Sequence, residues 1–412
     1  MDVLVTGADQ RQGLAVIRTL GSKGLKVFAA GLEPKSLGFF SRYAAGFCQY
    51  PSPLSDKMRF VSTILEAVRQ YSIPVVLPVV ESTVIALDEY RSEFEGKAKL
   101  ALPSSDSLLR ALDKKETLTL AKTLDIPIPR SCFPASLDDA LSFADNVGYP
   151  IAMKPRAHRS YTRVNGGASF KVAYARNSEE LVKELRPFCQ KNNYPILQEY
   201  CPGVKVNQGI LYAGGETLGI YQYKGVREYP LTGGVTSVHM SVPIDPELKQ
   251  WTVRLLEAMA WDGVAAVEYK VNQVTGKKVL MEVNGRFWAP LSAANKLGLN
   301  FPYALFRYIS DGRKEKLPSD YPIGKRNRYI RGDIVALVNH WLGHTPDFLN
   351  PLPSKTKALW NFLSDFRPGV QFDVLDLRDP NPGFRELMSL FYVYSGARKI
   401  LRYLSRGQSS NR

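Results

Sequence analysis

The sequence predicts an α/β unit with a parallel sheet, followed by an α+β body. Apolar strands and amphipathic helices alternate over the first part of the chain, as in a doubly wound sheet. Pro127 and Pro129 then interrupt a helical pattern and force an extended segment. Farther on, Gly263–Val271 and Lys278–Val283 flank a Thr-Gly turn and predict an antiparallel pair. Because a domain usually holds about 100–200 residues, we expect two or three domains in a chain of 412 residues.

The first unit is predicted to consist of short buried strands that are each followed by a helix. Its elements are, in order, strand Asp2–Thr6, helix Gly13–Leu20, strand Lys26–Gly31, helix Val61–Tyr71, strand Pro74–Val80 and a helix that begins at Thr83. The turn at Gly7 could hold phosphate at a helix amino end. The segment GADQRQG lacks the closely spaced glycines of a dinucleotide-binding loop, however, so a structural role for this turn is favoured.

The second body mixes helices and strands without the regular alternation of the first. Ser136 is a plausible cap for an amphipathic helix, and Gly148 and Pro150 end that helix. The predicted elements are helix Ser136–Val147, strand Ile151–Lys154, strand Ser169–Ala173, helix Ser178–Lys191, strands Ile196–Tyr200, Gln208–Tyr212 and Leu218–Lys224, helix Pro246–Met259, and the antiparallel pair.

Composition excludes several classes of protein. An apolar fraction of 45% is sufficient for a packed core, and no apolar run is long enough to span a membrane. The amino-terminal MDVLVTGADQ lacks the basic start and long apolar stretch of a secretory signal, so we expect a cytoplasmic protein. The cysteines, at 48, 132, 189 and 201, are scattered and predict free thiols. A net charge of +15 suggests an anionic partner, but no nucleic-acid-binding motif accompanies it, and nucleic acid is not expected.

Lysines and glycines in the second body could together bind phosphate. Lys114 lies at a helix start and Lys154 ends a strand, and the loop after Lys154 contains Gly166 and Gly167. Two ammonium groups from different elements can neutralise a polyphosphate, and glycines let backbone N–H groups approach its oxygens. Taken singly, each of these residues is more often a solvated lysine or an ordinary turn.

A pair of carboxylates gives the stronger signal for chemistry. Glu268 and Glu282 lie among apolar neighbours on the two strands that would pair across the turn. Asn284 and Arg286 follow Glu282 at intervals of two, so their side chains point to the same face of the sheet. Hard oxygen ligands of this kind suit Mg²⁺ held between carboxylates and substrate phosphates. The alternative is a structural ion network in which these acids pair with Arg286 or Lys270.

The motifs LDKKET, IPIP, AMKPR, LQEYCPG, YKGVREYPLTGGVTS, GVAAVEYK and MEVNGRFW occur in that order. In this respect the chain resembles the ATP-grasp superfamily, in particular the predicted carboxylate-amine ligases related to biotin carboxylase and carbamoyl-phosphate synthetase, from Met1 to about residue 310. The resemblance implies a Rossmann-like domain at 1–110 and an ATP-grasp domain at 111–310, with a small lobe at about 125–198 and a large lobe at about 199–310. A basic carboxyl-terminal region, 311–412, follows.

The resemblance also implies roles for individual residues. Two lysines would bind the phosphates of ATP, and the segment between the lobes would contact adenine through Glu199 and the backbone of Cys201. The acids and the amide would hold one or two Mg²⁺ ions, with Mn²⁺ as an alternative, and Arg286 would stabilise an acyl phosphate. The implied phosphate ligands are Lys114, Lys154, Gly166 and Gly167, and the implied metal ligands are Glu268, Glu282 and Asn284.

One departure from the family concerns the ribose of the nucleotide. Many relatives carry an acidic residue shortly after the glycine between the lobes. Here Gly203 is followed by Val204, Lys205, Val206 and Asn207.

Residues 223–237, YKGVREYPLTGGVTS, form a second polar segment. It contains Arg227 and a glycine pair, and it is interpreted either as a loop that covers the site and grips a substrate, with Arg227 as a catalytic residue, or as a plain hairpin. His239 follows this segment. A lone histidine is more often structural than catalytic, so His239 receives no role.

The carboxyl-terminal region carries an excess of lysine and arginine over acidic residues. Residues Leu387–Leu404 predict a helix with apolar residues on one side and Arg398, Lys399 and Arg402 on the other. Such a helix packs on its own domain, or it lies on an anionic membrane surface as a peripheral contact. Packing is favoured.

These features together predict an ADP-forming ligase that activates a carboxylate as an acyl phosphate for attack by an amine. Small-molecule carboxylates and amines are therefore the expected partners, and a homo-oligomer is an open alternative to a monomer. Two other functions stay in view: a ligase with a thiol or hydroxyl acceptor, and a nucleotide-responsive binding protein without turnover.

Overall fold

In the computed structural model, β-sheets organise the described residues, which are 1–155, 172–189, 194–229, 235–343 and 352–389. The strands are β1 Val3–Val5, β2 Val27–Gly31, β3 Ala44–Gln49, β4 Val75–Leu77, β5 Lys99–Leu100, β6 Ser131–Cys132, β7 Ile151–Lys154, β8 Ala173–Ala175, β9 Ile196–Glu199, β10 Val204–Ala213, β11 Glu216–Tyr229, β12 Val235–Ser241, β13 Gly263–Val271, β14 Lys278–Asn284, β15 Arg326–Arg328 and β16 Gln371–Phe372.

The helices connect these strands and cover the sheets. They are α1 Arg11–Ser22, α2 Lys57–Tyr71, α3 Glu81–Glu89, α4 Ser105–Leu112, α5 Lys114–Thr123, α6 Leu137–Val147, α7 Ser178–Cys189, α8 Pro246–Ala258, α9 Leu291–Lys296, α10 Phe301–Asp311, α11 Ile330–Trp341 and α12 Lys355–Ser364. Residues 380–389 are also helical. No helix in the described ranges is both long and apolar enough to cross a membrane.

The amino-terminal sheet is parallel, with strand order β3-β2-β1-β4-β5. Its central strand β1 is wholly buried, because helices cover both faces. Val3 and Val5 pack in one cluster with apolar residues of α1 and α10, whereas Leu4 packs in another with residues of α2 and α3. Buried strands of this kind are typical of parallel sheets with helices on both sides, as the alternating pattern predicts.

Close packing explains the glycines of the first turn. Gly7 has a φ of +72°, a conformation that favours glycine, and its N–H donates to the Tyr50 hydroxyl at 3.0 Å. A Cβ on Gly13 would come within 2.1 Å of the Gly7 carbonyl oxygen, so α1 can approach the turn only with glycine there. These contacts support the structural interpretation of the turn.

The two other sheets are largely antiparallel. Residues 131–199 form a four-stranded sheet of order β6-β9-β7-β8, and residues 204–372 form a seven-stranded sheet of order β14-β13-β10-β11-β12-β15-β16. Strands β10 and β11 are longer than predicted. They form a hairpin whose tight turn is made by Gly214 and Gly215, with φ values of +55° and +82°. The predicted antiparallel pair is confirmed as β13 and β14.

The large sheet extends beyond residue 310, where the sequence predicts the start of a separate basic region. Strand β15 pairs with β12, and β16 pairs with β15. These strands are three and two residues long and rich in polar residues, so they carry no readable period-two pattern. Residues 326–328 and 371–372 are thus structural parts of the sheet that also carries Glu268 and Glu282. Of the predicted helix Leu387–Leu404, only residues 387–389 are among the described residues.

Candidate active site

The two predicted carboxylates lie directly opposite each other on neighbouring strands. The register pairs Glu268 on β13 with Glu282 on β14, and on the other side it pairs Glu268 with Asn207 on β10. Directly opposed side chains on one face have Cβ atoms about 5 Å apart. The two acids and the Asn207 amide therefore form a continuous polar row across one face of the seven-stranded sheet.

Lys114 makes an ion pair with the outer acid of this row. The Asp113 side chain caps α5 by accepting from the Lys115 N–H, so Lys114 begins the helix. Its Nζ lies 3.0 Å from Oε2 of Glu282. This neighbour lowers the pKa of Glu282 well below its usual range, and Glu282 in turn raises the pKa of Lys114. Both groups are therefore charged at neutral pH.

Lys154 approaches the same acids from the four-stranded sheet, where it ends β7. Burial of its ammonium group lowers the pKa of Lys154 to about 8, although the carboxylates of Glu282 and Glu268 act in the opposite direction. The positive charges of Lys114 and Lys205 lower it further. The structure thus brings the two sequence-predicted phosphate lysines together beside the carboxylates, from two different elements.

Lys205 on β10 is a site residue that sequence reasoning did not assign. Its Nζ lies 3.9 Å from Oε1 of Glu268 and 3.7 Å from Oε2 of Glu228. Burial raises the pKa of Glu268, whereas the positive charge of Lys205 lowers it. The net effect is a raised pKa. In the sequence, Lys205 lies two residues before Asn207 in the strand VKVNQGILYA, and alternation places both side chains on the face of the acids.

Asn284 and Arg286 extend the site beyond Glu282. The Asn284 Nδ2 donates to Oε1 of Glu282 at 3.0 Å, and the Arg286 Nη2 donates to Oδ1 of Asn284 at 3.3 Å. Arg286 also donates to the Phe287 carbonyl oxygen at 3.0 Å. Glu282 makes its ion pair with Lys114, and Glu268 makes its ion pair with Lys205. These contacts differ from the alternative in which Arg286 or Lys270 neutralises the acids.

The side-chain oxygens of Glu268, Glu282 and Asn284 fit a divalent cation that is shared with a ligand. Two carboxylates and an amide oxygen are hard oxygen donors, and Mg²⁺ is commonly bound by one or two carboxylates together with phosphate oxygens. Within the ranges that the structure describes, no cluster of three or more His, Cys, Asp or Glu side chains could hold a metal alone. The protein can therefore contribute part of a coordination shell here, and the remaining oxygens have to come from the ligand or from water.

Glu199 and Cys201 lie where the chain passes from the small sheet to the large one. Glu199 accepts from the backbone N–H and the Nε of Arg130, at 3.1 and 2.7 Å, and Lys277 lies 3.6 Å away. Burial raises the pKa of Glu199, but the hydrogen bonds from Arg130 outweigh it and lower the pKa overall. Glu199 thus joins the two sheets, and Cys201, half-buried, follows two residues later. Gly166 and Gly167 lie outside the described residues.

Arg227, predicted as a catalytic residue, makes ion pairs with two buried carboxylates. The guanidinium donates to both carboxylate oxygens of Asp333 at 2.8 Å and lies 2.7 Å from Oδ2 of Asp365. It belongs to a buried ion network in which Arg328 and Arg326 also take part. The sequence could not show this, since Asp333 and Asp365 are distant in the chain. The segment itself is part of the hairpin of β11 and β12, and residues 230–234 are outside the described part.

This network gives a prediction for stability. Replacing Asp333 with alanine is expected to lower the free energy of unfolding by about 3–5 kcal/mol, because it leaves the buried guanidinium groups of Arg227 and Arg328 without their shared carboxylate. Denaturant unfolding measures the change. Asp320→Ala, at an exposed position, is the control and should change stability by less than about 0.5 kcal/mol. Equal stability of the two variants would contradict a structural role for the network.

Comparison with known proteins agrees with this architecture. No model of a known protein family matches the chain. Among curated proteins, the arginine-specific large chain of carbamoyl phosphate synthase from Oryza sativa subsp. japonica is 26% identical over 203 residues, which is 46% of this chain. That match spans only 16% of the length of the rice protein.

Solved structures match over most of the chain. The biotin carboxylase domain of 2-oxoglutarate carboxylase from Hydrogenobacter thermophilus, in complex with MgADP, ADP and bicarbonate, is 16% identical with a TM-score of 0.61, over 79% of this chain and 73% of that one. N5-carboxyaminoimidazole synthetase from Staphylococcus aureus is 12% identical with a TM-score of 0.60, over 84% and 86% of the chains. These similarities show that the chain has the fold of biotin carboxylase, and that about half of it is similar in sequence to the large chain of carbamoyl phosphate synthase.

Proposed function

We propose that the protein is an ADP-forming ligase that uses ATP to activate a carboxylate as an acyl phosphate, which an amine then attacks. The observation that carries this proposal is the polar row on β13 and β14. There Glu268 and Glu282 oppose each other, and lysines from α5 and β7 lie beside them. Two opposed acids beside several lysines suit the binding of a polyphosphate with its cation.

The nucleotide is proposed to lie between the four-stranded sheet and the seven-stranded sheet. Lys154 from the first sheet and Lys114 from α5 would neutralise its phosphates, since both interact with the carboxylates of Glu282 and Glu268. The linking segment would lie along the adenine through Glu199 and the backbone of Cys201. The amino-terminal parallel sheet would then be the Rossmann-like domain of the family, and residues after 310 a basic extension that contributes strands to the large lobe.

Mg²⁺, when bound at Glu268, Glu282 and Asn284, neutralises the charge on the transferred phosphoryl group. The work of the protein itself is positioning and electrostatic stabilisation. Arg286 is held by the Asn284 amide oxygen and the Phe287 carbonyl, which fixes its guanidinium beside the carboxylate row. From there it can donate to the oxygens of an acyl phosphate. Lys205, whose Nζ lies 3.9 Å from Glu268, would contact the same oxygens.

A screen for ADP release tests this function. Carboxylic acids of several classes, including amino acids, hydroxy acids and sugar acids, are paired with amines in the presence of ATP and Mg²⁺, and any product is identified by mass spectrometry. At least one pair is expected to give ADP and phosphate in equal amounts together with an amide. Release of AMP, or tight ATP binding without turnover for every pair, would contradict the proposal and favour a different reaction or a binding protein.

A further inference from the structure

Lys205 lies between two carboxylates on the face of the seven-stranded sheet that carries the polar row. Its Nζ is 3.7 Å from Oε2 of Glu228 on β11 and 3.9 Å from Oε1 of Glu268 on β13. The side chain of Lys205 is 9% exposed, and both acids are partly buried. Because β10 pairs with a strand on each side, the backbone of this lysine is fixed within the sheet. An ammonium group is thus held between the two acids.

An irregularity in strand pairing brings Glu228 to this face. Tyr223 lies opposite Asn207 in the sheet, and strict alternation along β11 would place Glu228, an odd number of residues later, on the other face. The pairing of β11 with β12 shifts register between Gly225 and Glu228, however, and such irregularities redirect side chains. The contact between Glu228 and Lys205 therefore results from this irregular pairing, and no local sequence pattern predicts it.

The surrounding acids keep Lys205 positively charged. Burial lowers the pKa of Lys205, but the charges of Glu268, Glu228 and Glu282 outweigh burial and raise the pKa overall. A buried charge is stable only when opposite charges or hydrogen bonds compensate it, and here the carboxylates on either side provide that compensation. Lys205 therefore neutralises part of the negative charge of Glu228 and Glu268 before any metal ion binds.

Lys114, the lysine beside Glu282, is held less firmly. It begins a helix outside the sheet, and its side chain is 27% exposed, compared with 9% for Lys205. A partly exposed side chain at a helix end can turn from Glu282 to a phosphate oxygen when a metal ion takes its place. Lys205 rises from the middle of the sheet between two acids, so we expect it to remain there when a nucleotide and its metal ion bind.

We propose that the ammonium group of Lys205 takes the place of a second divalent cation, so that the site holds a single Mg²⁺ with each nucleotide. This inference rests on the proposed function. The single ion would use Glu282, Asn284 and Oε2 of Glu268, because Oε1 of Glu268 is the oxygen in contact with Lys205. A further divalent cation between Glu268 and Glu228 would meet the ammonium group at close range, where like charges repel strongly.

A count of bound Mn²⁺ tests the proposal on the full-length protein. An equimolar mixture of the protein and the non-hydrolysable β,γ-imido analogue of ATP, concentrated enough for the analogue to be fully bound, is titrated with Mn²⁺. Electron paramagnetic resonance of the unbound Mn²⁺ gives the number of ions bound per nucleotide, and the protein alone and the analogue alone are titrated for comparison. The wild type is expected to bind one ion. Lys205→Met removes the ammonium group and frees both acids, so it is expected to bind two.

Two further variants locate the second ion. Lys205→Met combined with Glu228→Gln is expected to return the count to one, because the second ion loses one of its two acids. Lys270→Met is the matched control. Lys270 lies directly opposite Lys205 on β13, but its Nζ lies over the Tyr200 ring, 5.6 Å from the centroid. This variant should still bind one ion.

Three results would overturn the proposal: two ions per nucleotide in the wild type, one ion in Lys205→Met, or two ions in Lys270→Met. Circular dichroism establishes that each variant is folded, and Lys205→Gln provides the same comparison if Lys205→Met does not fold. If calorimetry shows that the wild type does not bind the nucleotide analogue at all, the proposed ligase function fails instead. The ion count and the calorimetry thus distinguish the two failures.

Discussion

Replacing Glu282 with glutamine is expected to reduce Mg²⁺-dependent ADP formation by about 100-fold or more, which corresponds to about 2.7 kcal/mol of transition-state stabilisation. Glu282 is the acid whose negative charge Lys114 stabilises, and it also accepts a hydrogen bond from the Asn284 amide. The glutamine has nearly the same shape but loses the negative charge that binds the cation. Steady-state ADP release at several Mg²⁺ concentrations measures the effect.

Two comparisons make this result specific. Glu66→Gln, an exposed change on α2, should leave the rate unchanged. Circular dichroism should show that the Glu282 variant retains its fold, because Gln can still accept from Asn284. Turnover equal to that of the wild type in Glu282→Gln would remove Glu282 from the proposed metal site.

Replacing Lys154 with methionine is expected to weaken ATP binding by about 10-fold to 100-fold, since a desolvated ammonium group that contacts phosphate contributes on the order of 1.5–3 kcal/mol. Lys154 is the cation that the small sheet contributes, and burial of its ammonium group lowers its pKa to about 8 even though two carboxylates are near. Isothermal titration calorimetry with MgATP measures the change.

A lysine on the surface supplies the matched control for that experiment. Lys122→Met changes an exposed residue in the last turn of α5 and should leave the affinity as it is. If Lys154→Met and the wild type bind MgATP equally, Lys154 is no part of a phosphate site. The nucleotide would then have to lie elsewhere than between the two sheets.

Patterns of a few residues were sufficient to predict much of the fold. Alternating apolar segments predicted the parallel sheet around β1, and the proline pair before β6 marked the change to the second body. The pairing of β13 with β14 followed from a short turn between two strands. That pairing in turn predicted that Glu268 and Glu282 would meet, because register and the period of two fix which side chains share a face.

The strands that complete the large sheet could not be predicted in this way. β15 and β16 are short and polar, and their partners β12 and β15 are far away in sequence. Only long-range packing creates them. The same packing brings Arg227 against the buried carboxylates of Asp333 and Asp365, contacts that the local sequence pattern could not predict.

The sequence by itself determined the secondary structure that carries the acids and the face on which they lie, because these depend on local periodicity. Only the tertiary structure decided which charges meet. It brought Lys154 and Lys114 to one pair of acids and added Lys205. The reason is physical: desolvation and short-range electrostatic contacts depend on distances between segments, and these distances are set by how the sheets pack.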